Sequence, residues 1–228
     1  KHLWDLVPYQ VENVLIRYSG KNEAIGYATG LDLRLNGEFV PGTDSWISLS
    51  VMQTKENLDN DFFDRYYNSD GEQIISGITS NNTIVDTTRY YVGYVPRPSD
   101  QRVNFGMFFQ DYLPRNENFK MHLSLLVGTG LSFSPPDLPQ FRNKFRVPPY
   151  RRVDIGFSAS LFDRSKAQLH ENSKLRYLNS VWASLEVFNL LGVQNTVSYN
   201  WILAQGQSYG VPNYLTARRL NLRIIAKF

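Results

Sequence analysis

FKMHLSLLVGTGLSF, residues 119–133, is the stretch that decides the fold class. Phe119, Met121, Leu123, Leu125, Val127, Leu131 and Phe133 fall on odd positions, and Lys120, His122, Ser124, Gly128, Gly130 and Ser132 on even ones. Side chains of an extended chain alternate between two faces, so this stretch has one apolar face and one small or polar face. A helix would scatter the same residues around its circumference. The spacing predicts a strand over 119–133.

The same division recurs along the chain. In 24–36, Ile25, Tyr27, Leu31, Leu33 and Leu35 oppose Gly26, Gly30, Asp32, Arg34 and Asn36. In 45–56, Ile47, Leu49 and Val51 oppose Trp46, Ser48 and Ser50, and in 101–112, Val103, Phe105, Met107 and Phe109 oppose Arg102, Asn104 and Gly106. Further strands are predicted over 151–163, 179–190 and 216–228, and no stretch competes as a long amphipathic helix. The fold class is all-β, read as an up-and-down antiparallel meander. These strands run 12 to 15 residues. Soluble strands average about 5–6, whereas a tilted strand crossing a bilayer needs about 9–11.

The links also alternate. Those at 37–44, 113–118 and 164–178 are shorter than those at 57–100, 134–150 and 191–215. Short turns at one end and long loops at the other are the asymmetry of outer-membrane barrels, although 164–178 is long for a turn. Phe39 and Trp46, Tyr112 and Phe119, and Phe162 and Tyr177 flank the shorter links, as an interfacial aromatic girdle would. The alternative is a soluble β-sandwich binding module, in which the apolar faces would meet and the polar faces would be solvated.

Composition narrows the classes. The chain has no cysteine, which removes disulfides, thiolate zinc sites and cysteine nucleophiles. A formal net charge of +3 over 228 residues gives no argument for nucleic acid. No apolar run reaches the length of a membrane-spanning helix, and Lys1–Asp5 leads into no hydrophobic stretch of the secretory kind. Aromatic residues make up 14% of a chain whose mean hydropathy is −0.35, the combination that alternating strands produce.

With the apolar faces toward lipid, the inward wall carries Asp32, Arg34, Arg102, Lys120, His122, Arg152, Asp154, Glu186, Arg219, Arg223 and Lys227. A bilayer penalises such groups, so they must face water or protein. No HExxH, P-loop, GxGxxG or nucleophile elbow occurs, Gly128–Gly130 reads as strand interior, and no catalytic residue, cofactor or metal is expected. His122 and Ser124 share a face without an acid placed by sequence. Asp59, Asp61, Asp64, Asp70 and Glu72 crowd the longest loop without EF-hand spacing. Tyr66, Tyr67, Tyr90, Tyr91 and Tyr94 share that loop, where rings could stack on a ligand or on one another. Asn81-Asn82-Thr83 is a glycosylation sequon by rule only.

Five segments together resemble the TonB-dependent outer-membrane receptors of Bacteroidota, of the SusC-like or carboxypeptidase-regulatory-like type. They are GYATGLDLRLNGEFVPGTDSW (26–46), PRPSDQRVNFGMFFQDYLPRNENFKMHLSLLVGTGLSF (96–133), FRVPPYRRVDIGF (145–157), SLEVFNLLGVQNTVSYNW (184–201) and YGVPNYLTARRLNLRIIAKF (209–228). The resemblance implies a barrel of about 22 strands, closed by an N-terminal plug and importing a large nutrient (glycan, peptide or chelate) with energy from the TonB complex. Its partners would be outer-membrane lipid, the barrel-assembly machinery and a surface lipoprotein lid. It makes residues 1–228 a C-terminal part of such a receptor in a Gram-negative outer membrane, without the plug or the N-terminal strands. The client or subunit of another outer-membrane complex is the alternative. A periplasmic C-terminus makes 216–228 a descending strand, 6–23 an outer loop and 1–5 the end of an ascending strand. Leu220, Leu222, Ile224, Ala226 and Phe228 resemble the signal read by the assembly machinery. A wall this polar and glycine-rich cannot fill a small barrel, so the two edges are expected to pair with polypeptide outside this chain.

Overall fold

The computed structural model of the chain describes residues 1–12, 15–41, 43–114, 116–136, 138–166, 177–204, 207–215 and 217–228. In chain order, β1 (His2–Leu6) is followed by a hairpin of β2 (Tyr9–Glu12) and β3 (Leu15–Tyr18), then by the long strands β4 (Ala24–Val40) and β5 (Thr43–Leu58). A second hairpin, β6 (Phe62–Tyr67) and β7 (Asp86–Tyr91), leads to β8 (Val95–Pro96), β9 (Val103–Leu113) and β10 (Asn116–Gly128). The short pair β11 (Ser132–Phe133) and β12 (Phe145–Arg146) flanks a 3-10 turn at Pro139–Phe141. It precedes β13 (Tyr150–Asp163), β14 (Ser180–Phe188), the hairpin β15 (Thr196–Ala204) with β16 (Gln207–Tyr214), and β17 (Arg219–Lys227).

The main sheet has the order β1-β4-β5-β9-β10-β13-β14-β17, antiparallel throughout, with β8 added beside β5. It is the expected meander, it is open, and β4 pairs with β1 rather than with β17. The opening residues stand on the outer side of β4, where the stub of a preceding strand was expected. Among the described residues no α-helix occurs, and none is long and apolar enough to cross a membrane.

Register explains why one face is apolar across the whole sheet. Leu35 lies opposite Ile47, Ile47 opposite Met107, Met107 opposite Leu125 and Leu125 opposite Val153. A second row runs Phe109, Leu123, Ile155, Val187 and Leu220. A slip of one residue at any strand would send its apolar set to the other face, so every pairing enforces the same division. The apolar face is the exposed one: Leu31 is 62% exposed and Leu220 75%. Among the described residues the buried aliphatic side chains are Ala24, Val95 and Val147, whereas the polar Glu56, Asp100, Asp154, Ser184 and Glu186 are buried too. The distribution is inverted relative to a water-soluble domain.

The two ends of the sheet differ. β4–β5, β9–β10 and β13–β14 connect at one end, and the hairpins β2–β3, β6–β7, β11–β12 and β15–β16 all lie in connections at the other. Some sequence boundaries need correction. The strand expected over 119–133 stops at Gly128, because its neighbours β9 and β13 stop there too, and Ser132–Phe133 joins β12 instead. Gly128–Gly130 is therefore the exit from the sheet, not strand interior. Thr129 donates its N–H to Val103 O at 2.9 Å, and Gln101 Nε2 donates to Thr129 O at 3.0 Å. The links at 37–44 and 113–118 are tighter than expected, since strand pairing continues to Val40 and Leu113. Of the link 164–178, residues 167–176 lie outside the described set, as does Thr216 at the start of the last predicted strand. The girdle also changes: Trp46 and Tyr112 face the polar side, where Trp46 stacks on Phe108 and Tyr112 meets Lys120. Phe39 and Phe119 remain exposed.

Gly130 carries a close approach that no other residue fits. A Cβ there would lie 1.6 Å from the carbonyl oxygen of Val147, a backbone atom that cannot swing aside. We expect Gly130→Ala to separate β10 from the segment before β13 and to cost about 1–3 kcal/mol, measured as faster amide exchange at Val147, whose N–H donates to Leu131 O. Unchanged exchange there would contradict this packing.

Candidate functional site, a polar wall below a cap of loops

The polar face of the sheet is crosslinked strand to strand. Glu186 on β14 accepts from Asn221 Nδ2 at 2.8 Å and Arg223 Nη2 at 3.1 Å, and His122 Nε2 on β10 lies 3.8 Å from it. His122 lies over Gly156, where a Cβ would meet its ring at 2.1 Å. Asp154 accepts from Arg152 Nε at 2.8 Å and from the Asn189 N–H at 2.8 Å, which holds the turn leaving β14. Asp32 accepts from the Ser50 hydroxyl. Arg34 bonds Asn36 at 2.8 Å and stands over Trp46 at 5.5 Å. Lys120 Nζ is held between the rings of Tyr112 and Trp182, at 4.6 and 5.1 Å. Arg219 is opposite Phe188 and exposed at the end of β17. Arg102 is displaced from the wall proper, since it sits one residue before β9 and bonds Asp100 at 2.7 Å.

The structure thus brings His122, Glu186 and Arg223 together and leaves Ser124 outside the cluster, opposite Phe108 and Asp154. The acidic residues of the longest loop do not converge either. Asp61 pairs with Arg142 at 2.8 Å, Asp64 with Arg89 at 2.9 Å, and Asp70 with Asn81 at 3.2 Å. No group of three potential metal ligands occurs among the described residues. The five tyrosines are divided as well. On β6 and β7, Tyr67 and Tyr90 share one face, where Tyr90 stacks on Phe63 at 5.6 Å and Arg65 caps it at 4.7 Å. Tyr66 and Tyr91 share the other face, and Tyr94 packs on Tyr27 at 5.7 Å. Three of the five thus pack on other rings, Tyr90 on Phe63, Tyr91 on Phe62 and Tyr94 on Tyr27.

Above the wall the loops lock into a cap, which the sequence reading did not identify. Its centre is Asp100, with no exposed surface. Asp100 Oδ1 accepts from the Thr54 N–H at 2.6 Å, and Oδ2 accepts from Arg102 at 2.7 Å and from Arg146. Arg146 also donates to Asp100 O at 2.7 Å and Gly130 O at 2.9 Å, so one guanidinium joins two loops. Burial raises the Asp100 pKa, but the Thr54 N–H and the two guanidinium groups outweigh it and hold the carboxyl below its ordinary value. Arg97 donates to Glu56 at 3.0 Å and stands over Tyr9 at 5.7 Å, tying β8 to the first hairpin. Asn195 brackets Arg151, accepting from its N–H at 2.8 Å and donating to its O at 2.9 Å. The signal for these joints lies within the motifs at 96–133, 145–157 and 184–201, whose charged residues carry no periodic pattern to announce a role.

Between the first, third and fourth loops lies a cleft of about 330 Å³, lined by Gln10, Val11, Phe133, Pro135, Pro136, Leu138, Arg142, Asn143 and Trp201. Phe133 meets Tyr199 at 4.8 Å and Trp201 at 6.4 Å, forming an aromatic wall. A second cleft of about 270 Å³ shares Gln10, Arg142 and Asn143 and reaches Glu56. Together they form a concavity of the cap that sets aromatic rings and prolines beside amide and guanidinium edges, a mixture that suits a small polar molecule. Comparison with known protein families, with curated proteins and with solved structures finds no match.

Proposed function

We propose that this chain forms the C-terminal barrel wall of a TonB-dependent outer-membrane receptor, with the turn end periplasmic and the cap facing outward. The observation that carries this reading is the inversion of polarity. An eight-strand meander exposes one continuous apolar face, while Asp154, Ser184 and Glu186 are buried on its charged and hydroxylated face. In a soluble sandwich that apolar face would be covered by a second sheet. Lipid is the surrounding that makes it favourable. The unpartnered edges at β1 and β17 then require further strands, because unpaired backbone groups are costly in a bilayer. The polar wall lines the lumen, and the cleft at Trp201 and Arg142 is where an incoming nutrient first meets the chain. The same edges also fit a barrel piece held in another outer-membrane complex, and the intact mass of the native protein separates the two.

The test is cell fractionation. The native protein should sediment with the outer membrane, resist carbonate extraction and dissolve only with detergent. Recovery in the soluble fraction would overturn the reading. Within it, the last strand carries the assembly signal, with Leu220, Leu222, Ile224 and Phe228 all exposed. Deleting Phe228 should lower outer-membrane insertion more than Phe157→Leu does; equal insertion would remove the signal role.

A further inference from the structure

Arg142 and Asn143 stand on the wall that the two clefts share, directly after the 3-10 turn at Pro139–Phe141. The turn fixes their backbone, with Arg142 N–H on Pro139 O at 3.0 Å and Lys144 N–H on Phe141 O at 3.2 Å. Asn143 is buried and takes a left-handed φ of 49°, which asparagine tolerates better than most side chains. Ser134 locks it in place. The Ser134 hydroxyl donates to Asn143 Oδ1 and accepts from the Asn143 N–H, both at 2.9 Å. Asn143 Nδ2 is left without a partner among the described residues. Arg142 is also incompletely used. Its Nη2 donates to Asp61 Oδ1 at 2.8 Å, while its buried Nε and the buried Asp61 Oδ2 have no partner among the described residues. The shared wall therefore holds hydrogen-bond donors that the described protein does not satisfy, and Phe133, Pro135 and Trp201 line the same cleft with rings.

We propose that this concavity binds a small carboxylate carried on a ring, with the ring against Phe133 and Trp201 and the carboxylate on Arg142 and Asn143. The inference deepens the reading of the cleft as the place where a nutrient first meets the chain, and rests on it. Chemistry selects the occupant. An uncharged ring would leave the donors unpaired, and unpaired buried donors are costly. A phosphate monoester would bring close to two negative charges to a single guanidinium. A carboxylate brings one charge and two acceptor oxygens, which a guanidinium and an amide nitrogen can match. The cleft, about 330 Å³, stands at the low end for ligand sites, so the occupant is small. Asp61 already holds the guanidinium through one oxygen, so the ligand competes with it for the charge of Arg142.

The experiment titrates para-fluorophenylacetate into the detergent-solubilised native protein and follows its fluorine NMR line width. The acid should bind about tenfold more tightly than its uncharged amide, the difference made by a charged acceptor. Asn143→Asp keeps the size, the left-handed φ and an oxygen for Ser134, but turns the free donor into a carboxylate, and should abolish binding. Asp61→Asn should tighten binding by about threefold, because the competing charge is gone; a merely structural role for Arg142 gives no such gain. Equal binding of acid and amide, tighter binding of para-fluorophenyl phosphate, unchanged binding in Asn143→Asp, binding no tighter in Asp61→Asn, or no binding at all would overturn the proposal. Fractionating the source cells keeps the two readings apart. Protein from the outer membrane that fails these tests defeats the ligand class alone, and protein absent from the outer membrane defeats the barrel reading.

Discussion

Leu185→Arg should remove the protein from the outer membrane, while Asn104→Arg should leave its level near that of the parent. Leu185 lies mid-strand on β14, opposite Phe157 on one side and Leu222 on the other, and is 50% exposed. Asn104 is also exposed, but on the polar face of β9, opposite Ser50 and Gly128. The contrast works because both side chains are exposed. In water, an arginine at either place would change stability by less than about 0.5 kcal/mol. In the proposed barrel the arginine at 185 would meet hydrocarbon and cost about 2–4 kcal/mol near the bilayer midplane, and the one at 104 would face an aqueous lumen. The measurement is the amount of protease-resistant protein in purified outer membranes. Equal amounts for both variants would mean that the apolar face does not meet lipid.

That contrast also marks how far the sequence could be read. Period-two alternation located seven strands of the meander, β4 to β17, because strand geometry maps parity directly onto faces, whereas β1 was expected only from the resemblance. It erred where a strand loses its neighbours. Residues 129–133 alternate as well as 119–128, yet at Gly128 the flanking strands end and the chain turns to pair elsewhere. Alternation describes one strand and is blind to the extent of the next. The same blindness put Trp46 and Tyr112 in an outward girdle by their nearness to turns, although their even numbers place them with Ser48 and Gln110 on the polar face. The wall residues were legible by parity. The cap was not, since Asp100, Arg146 and Glu56 act through contacts spanning 46 and 41 residues of sequence, and no local pattern encodes such a separation.

Two aspartates of that cap should respond unequally to loss of charge. Asp100→Asn should cost about 3–5 kcal/mol, the usual penalty for breaking a buried ionic cluster, whereas Asp61→Asn should cost under about 1 kcal/mol. The difference follows from what each oxygen accepts. Both oxygens of Asp100 are engaged by donors, Oδ1 by Thr54 N–H and Oδ2 by Arg102 and Arg146, so an asparagine in either orientation sets an NH2 against an N–H. Asp61 uses Oδ1 for Arg142, and its buried Oδ2 has no partner among the described residues, so an amide can keep the bond and turn its nitrogen to the idle side. Burial raises the Asp61 pKa more than Arg142 lowers it, which marks a charge held at a cost. The pH dependences diverge accordingly. The Asp100 contribution is present above the ordinary carboxylate value and is lost as pH falls through its depressed folded value. The Asp61 contribution has the opposite sign, favouring the folded cap at low pH and fading as pH rises through its raised folded value. Amide exchange at Thr54 and Val147 in detergent-solubilised native protein, followed from neutral pH into the acid range, reads both. Acid should loosen the parent cap, should loosen the Asp61→Asn cap more because the opposing contribution is gone, and should change the Asp100→Asn cap least, because its clamp is already broken. An Asp100→Asn cap that matched the parent at neutral pH would show that the two arginines do not hold the loops together.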